Sequence, residues 1–271
     1  MSLNASVLLL LIAHFLGDFQ LQTKELAEKK VQNPGALALH LLIHAGLLAG
    51  VNGVVYGLVG YDPAMIQSSC FILITHAIID FIKYLVNRHT EIRKDLVYCA
   101  DQFLHLLMIF LASQYFGGFR IDQAHLDLSI LRWILLVVLI TKPANITFKL
   151  LFSKYSTQQS FIQPATQRVA IVSVSALTVK AIPLRQRKQS NEQSATVLGA
   201  GALIGTLERL LTALLLLAGQ YTLIGIVLTA KSVARFDRIS KDQAFAEYYL
   251  LGSLFSLLWV VSCYMLFFNS F

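Results

Sequence analysis

The stretch Ala36 to Val59, ALALHLLIHAGLLAGVNGVVYGLV, decides the fold. It carries no formal charge and is longer than the roughly 20 residues of helix that a hydrocarbon core requires. Two imidazoles interrupt its first half, His40 and His44, four residues apart and hence on one face of a helix. An apolar span bearing a polar stripe is the pattern that the first half of the chain repeats.

Outward from this stretch, the chain of 271 residues is 56% hydrophobic and only 14% charged, with a mean hydropathy of +0.64. A soluble globular domain carries about 25% charged residues, so that class is excluded. Apolar blocks run approximately 3–19, 36–59, 64–86, 98–116, 127–150, 195–217, 220–236 and 246–269. They predict an all-α, polytopic helical transmembrane protein of about eight spans. The first block has no charged n-region and no small-residue cleavage pattern, and reads as a retained span. Pro143 predicts a kink in the fifth, tolerable where neighbours satisfy the freed carbonyl.

Lys and Arg number 22 against 15 Asp and Glu, a net charge of +7 and a pI near 9.3. These bases gather in loops between apolar blocks, which is a topology signal and not a nucleic-acid footprint. The first loop holds Lys24, Lys29 and Lys30, the third Arg88, Arg93 and Lys94, and the loop after the seventh block Arg238 and Lys241. The long fifth loop holds Lys154, Arg168, Lys180, Arg185, Arg187 and Lys188, and the even loops are poor in base. Odd loops inside and both termini extracytoplasmic satisfy the positive-inside rule.

The expected organisation is a four-helix polar-motif core over 1–116, a fifth span over 117–150, a basic cytoplasmic linker over 151–194 and a three-span C-terminal subdomain over 195–271. Within the linker, 169–184 is apolar except for Lys180 and reads as interfacial or re-entrant. Cys70, Cys99 and Cys263 form no CxxC and give no disulfide framework or soft-metal signature.

The polar stripe recurs in four blocks. HFLGDFQLQ gives His14, Asp18 and Gln22; HLLIH gives His40 and His44; THAIIDFIK gives His76, Asp80 and Lys83; DQFLH gives Asp101, Gln102 and His105. The His and Asp groups pair four apart, late in the odd blocks and early in the even ones. Antiparallel crossing therefore brings all eight to the basic-loop side of the membrane. One imidazole near a helix end is an ordinary interfacial residue, and Asp101 near a helix start suits the dipole. Asp18 and Asp80 lie at the wrong end for that. A carboxylate in an apolar span costs several kcal/mol unless paired or hydrated.

Three carboxylates and five imidazoles in one layer suit a divalent cation: zinc, manganese or iron, since no thiolate selects softer ions. The expected ligands are His14, Asp18, His40, His44, His76, Asp80, Asp101 and His105. One ion needs three or four of them; the rest would orient those ligands, or a bridging Asp would hold a second ion. Proton relay is the other use of such residues in spans. Asp18, Asp80, Lys83 and Gln102 are the candidates for acting on a substrate, and Gln22 for supporting ligands or substrate. No HExxH is present.

These four motifs, in this order within the first 105 residues, resemble DUF3307, a family of bacterial membrane proteins of unknown function. The second half is similar to its longer members at GALIGTLERLL (Gly201 to Leu211), KSVARF (Lys231 to Phe236) and EYYLLGSLFS (Glu247 to Ser256). The resemblance implies a bacterial inner-membrane location and carries the motif residues named above, without implying an activity. A looser likeness to YdjM-like membrane metal-dependent hydrolases adds weight to hydrolysis by analogy.

In the second half, Glu208 falls mid-span in the sixth block and Lys231 inside the seventh. The two blocks are antiparallel across a tight turn, so the pair can meet, with Arg235 one turn further along. Either these charges form a structural ladder, or they present a cationic patch to a phosphate or lipid head group beside the His/Asp layer. The favoured expectation is a metal-dependent hydrolase whose site opens at the cytoplasmic interface, acting on small amphiphilic, phosphorylated or lipid-like substrates in contact with membrane lipid. A metal or proton-coupled transporter and a non-catalytic scaffold or sensor are the alternatives.

Overall fold

The computed structural model describes residues 4–89, 93–117, 127–153, 155 and 200–268. Segment 169–184, the basic stretch 184–192 and His125 lie outside the described residues, and the expectations placed on them stay with the sequence. The described residues are all helical apart from turns: α1 Ala5–Phe15, a π turn Leu16–Gln20, α2 Lys24–Lys29, α3 Pro34–Val59, α4 Pro63–His89, α5 Lys94–Tyr115, α6 Leu128–Ile140, α7 Lys142–Leu151, α8 Ala200–Leu217, α9 Tyr221–Val233, α10 Phe236–Lys241 and α11 Gln243–Phe268.

Five helices are long and apolar enough to cross a membrane: Pro34–Val59, Pro63–Arg88, Lys94–Tyr115, Leu128–Leu151 and Gln243–Phe268. They make the chain a polytopic helical membrane protein. Against about eight apolar blocks in the sequence, five helices among the described residues meet that length and hydropathy. Ala5–Gln20 and Tyr221–Val233 are apolar but short. At 1.5 Å per residue they reach about 24 and 20 Å, under the roughly 30 Å of a hydrocarbon core. The sixth block starts outside the described residues, and its visible part is α8.

Local sequence sets the helix ends. Asn33 accepts from Gly35 N–H at 2.8 Å and Pro34 opens α3, a cap followed by a residue with no amide to satisfy. Gly60, at φ 79°, turns the chain out of α3, and Asp62 accepts from Ala64 and Met65 N–H to start α4. Burial is inverted relative to a soluble protein. In α3 the buried stripe is Leu37, His40, His44, Leu48 and Val55, while Leu42, Val54 and Leu58 face outward. In α5 it is Asp101, His105, Ile109 and Ala112, with Phe103, Phe110 and Leu111 outward.

α1 packs against α3, α5 and α6, and α4 closes the ring by packing against α3 and α5. The four polar motifs thus face one another around a single axis. Behind α1, the fifth span breaks at Thr141 into α6 and α7. Pro143 has no N–H to return to the carbonyl four residues back, and that carbonyl, Leu139 O, accepts Trp259 Nε1 at 3.1 Å. The neighbouring Ile140 and Thr141 carbonyls accept the Arg209 guanidinium of α8. Gln20 of the π turn donates to Thr141 Oγ1 at 2.7 Å and Lys142 donates back to Gln20 O at 2.8 Å. The break is therefore held from both halves of the chain.

Candidate metal centre

The π turn is closed by Leu21 N–H to Leu16 O at 2.8 Å. Single π turns within α-helices occur often at functional sites. A Cβ built on Gly17 would stand 2.5 Å from Cε1 and Nε2 of His44. Glycine alone lets that imidazole rest against the turn. Asp18, the next residue, meets the same ring, with Oδ1 3.0 Å from His44 Nε2.

Asp18 is the hub. Its Oδ1 is also 3.3 Å from His40 Nε2 and 3.7 Å from His76 Nε2. Its Oδ2 accepts from Gln102 Nε2 at 3.0 Å and lies 3.9 Å from His14 Nε2. Asp80 Oδ2 is 3.1 Å from His40 Nε2 and 3.5 Å from His76 Nε2, and those two nitrogens are 3.2 Å apart. On α5, Asp101 accepts from Lys83 Nζ at 2.6 Å and from Gln102 Nε2 at 3.2 Å. The five imidazoles pack as one group, with ring centroids as close as 3.9 Å for His44 and His76 and 4.2 Å for His76 and His105. All eight His and Asp side chains are buried.

Three overlapping ligand sets result. Donor atoms of His14, Asp18, His44 and His76 lie within 4.8 Å of one another, as do those of His40, His76 and Asp80, and those of Asp18, Asp101 and His105. Atoms sharing an ion at about 2.1 Å stand roughly 3.0–3.5 Å apart in octahedral or tetrahedral geometry. The 3.0 and 3.3 Å separations around Asp18 Oδ1 are of that size, and His76 Nε2 at 3.7 Å stands just beyond it.

The residues fit a cation on chemical grounds as well. His105 Nδ1 lies 2.8 Å from the Asp101 carbonyl. A carbonyl only accepts, so the proton is on Nδ1 and Nε2 presents a lone pair, the ligand tautomer. That Nε2, together with His14 Nε2 and Asp101 Oδ1, is buried and has no hydrogen-bond partner among the described residues. Buried polar atoms are otherwise almost always paired. Neutral imidazoles turned nitrogen to nitrogen and nitrogen to carboxylate need a proton or a cation between them. The cluster can hold a metal ion.

The structure brings together His14, Asp18, His40, His44, His76, Asp80, Asp101 and His105, with Lys83 and Gln102 bonded to their carboxylates. Gln22 is buried just past the π turn and makes no hydrogen bond to the cluster among the described residues. Glu208, Lys231 and Arg235 stand apart. Lys231 pairs with Glu208, and Lys231 and Arg235 lie over the Tyr249 ring at 5.2 and 5.8 Å. α8, which carries Glu208, packs against α6, α7, α9 and α11. The cationic patch expected beside the His/Asp layer is thus a separate group, because α6 and α7 intervene.

Two residues of the site were not singled out from sequence. Gly17 sits inside HFLGDFQLQ, and a glycine mid-span beside an Asp was the available signal. Lys30 resembled a topology charge in the first loop, yet its Nζ is 3.0 Å from His40 Nε2 and 3.2 Å from Asp80 Oδ2.

Residues 7–129 match the family model DUF3307, described as a protein of unknown function. The matched segment contains every residue of the cluster. No curated protein and no solved structure matches the chain.

Proposed function

We propose that the α1–α3–α4–α5 bundle holds a divalent metal ion at the His/Asp cluster and hydrolyses a phosphorylated or lipid-like amphiphile of a bacterial inner membrane. The observation that carries this reading is the convergence of buried nitrogen and oxygen donors on Asp18, several of them without other partners. The ion would be held by ligands drawn from the eight His and Asp residues, as zinc, manganese or iron. It would supply Lewis acidity and an activated water.

The chain's own residues would do the rest. A cavity of about 320 Å³ opens between α4 and α5, lined by Ile82, Val86, Leu96 and Leu104, with Lys83 and Asp101 in its wall. An acyl chain suits that lining. Lys83 would draw an anionic head group toward Asp101, one step from Asp18 through Gln102. Asp80 would accept a proton, and Gln102 would hold the Asp18 and Asp101 carboxylates in register. By the charge of the loops, this layer faces the cytoplasmic side.

Transport of a metal ion or protons is the second reading. What favours it is the break at Thr141, since discontinuous helices line many transporter sites, and Gln20 ties that break to Asp18 two residues away. Purified protein in liposomes of phosphorylated lipids separates the two. Hydrolysis is expected to appear with zinc or manganese and to fall at least tenfold on chelation. Metal or proton flux without product from a broad amphiphile panel would replace the enzyme with a transporter. Neither flux nor product, with no ion bound, would leave a scaffold or sensor.

A further inference from the structure

Of the bases in the first loop, Lys24 and Lys29 have side chains 84% and 61% exposed and pair along α2 with Glu28 and Glu25. Lys30 is the exception, at 7%. Thr23 caps α2 by accepting from Leu26 N–H, and the chain turns at Lys30, whose own N–H returns to Leu26 O at 2.9 Å. The turn closes with Asn33 N–H to Lys29 O at 2.8 Å, just before α3 begins. A surface helix thus delivers one ammonium into the bundle.

There Lys30 Nζ meets two members of a single ligand set, His40 and Asp80, while His76, the third, stands 3.2 Å from His40 Nε2. An ammonium only donates, so the hydrogen bond between Lys30 and His40 is accepted by the lone pair of His40 Nε2. His40 Nδ1 is then the protonated nitrogen, and it is buried without a hydrogen-bond partner among the described residues. Lys30 therefore uses the same lone pairs that a divalent ion would use.

We propose that the Lys30 ammonium is the resident cation of the His40–His76–Asp80 subsite, standing where a divalent ion would otherwise bind. The wild-type cluster then takes up one ion fewer than its ligand sets allow. Charge supports the substitution. Asp18, Asp80 and Asp101 against Lys30 and Lys83 leave one negative charge, so a single divalent ion leaves one positive charge. A further ion beside both lysines would bury three positive charges, which a low-dielectric interior strongly opposes. The remaining single positive charge suits one anionic group, such as the head group of the substrate proposed above. Covalent tethering also gives the ammonium an effective concentration of millimolar order, which a free ion must outcompete.

This inference rests on the metal reading for the identity of the competitor, and the test distinguishes the two. Wild type, Lys30→Met and Lys30→Arg are purified in detergent, loaded with zinc, desalted and analysed for zinc per chain, with size-exclusion profiles reporting the fold. Lys30→Met is expected to hold one more zinc than wild type, and Lys30→Arg the wild-type number. Adding Asp80→Asn to Lys30→Met should remove the extra ion. Where Lys30→Met aggregates, Lys30→Gln gives the same reading, since it keeps a donor for Asp80 without the charge. An unchanged count in a folded Lys30→Met or Lys30→Gln that binds zinc like wild type overturns the inference and leaves the metal reading standing. No zinc in wild type but one in Lys30→Met keeps the inference and removes the metal reading for the native chain. No zinc in any variant overturns both.

Discussion

Replacing Asp18 with Asn is expected to weaken zinc binding at least about a hundredfold. Loss of a group that merely orients a ligand costs 10–100-fold in comparable centres, and Asp18 belongs to two of the three ligand sets. Its Oδ1 lies within 3.7 Å of His40, His44 and His76. Asn keeps nearly the same shape, accepts through one oxygen and carries no charge, so the bundle should still form without metal. The two effects separate in one experiment. Saturating zinc should stabilise the wild type by about 2.7 kcal/mol at a hundred times its dissociation constant, and Asp18→Asn should show almost none of that shift at the same concentration. Thermal unfolding in detergent with and without zinc measures both proteins. An equal zinc-dependent shift in the two would mean that Asp18 is not a ligand.

Arg209→Met is expected to destabilise the protein by about 3 kcal/mol. The guanidinium is buried, and its partners are neutral: the Ile140 and Thr141 carbonyls, Asn145 Oδ1 at 2.7 Å, Thr206 Oγ1 and Ser256 Oγ. Removing it strands the Ile140 carbonyl at the Thr141 break and leaves Thr141 O with only the Asn145 N–H at 3.4 Å. Each unsatisfied buried acceptor costs about 1–3 kcal/mol, although hydrogen bonds between membrane helices average nearer 0.6 kcal/mol. Relief from burying a charge offsets part of the loss. Arg209→Lys should recover little, because one ammonium cannot span acceptors that a planar fork reaches together. Thermal unfolding in detergent checks this. Stability within about 0.5 kcal/mol of wild type would show that the break holds itself without Arg209.

The polar stripe was legible because helical spacing is rigid: groups four apart share a face whatever surrounds them, and alternation along antiparallel spans brought His14, His44, His76 and His105 together. The Glu208–Lys231 pair was legible for a similar reason, since the turn at Gly219 leaves only one antiparallel register. Depth was harder. The apolar block holding His76 ends near 86, but hydrogen bonding carries α4 on to His89, so His76 stands midway between Pro63 and the helix end. Helix length was less legible than hydropathy. α1 and α9 are apolar enough yet short, and hydropathy gives no warning that the first block ends in a π turn. Lys30 was hidden because a loop lysine is the usual topology charge, and only the turn after α2 points it inward. Pro143 announced the kink, but Trp259, which satisfies the freed Leu139 carbonyl, and Arg209, which bonds the Ile140 and Thr141 carbonyls beside it, come from more than sixty residues away, beyond any local pattern.

The central claim is that buried His and Asp side chains hold a divalent ion. X-ray absorption spectroscopy of the zinc-loaded protein tests it most directly. The expected spectrum has a first shell of nitrogen and oxygen only, at about 2.0–2.2 Å, with the outer-shell scattering of at least two imidazoles. No sulfur should appear, since Cys70 and Cys99 are exposed and none of Cys70, Cys99 and Cys263 belongs to a ligand set. Zinc bound below stoichiometry, or a first shell of oxygen without imidazole scattering, would contradict the account.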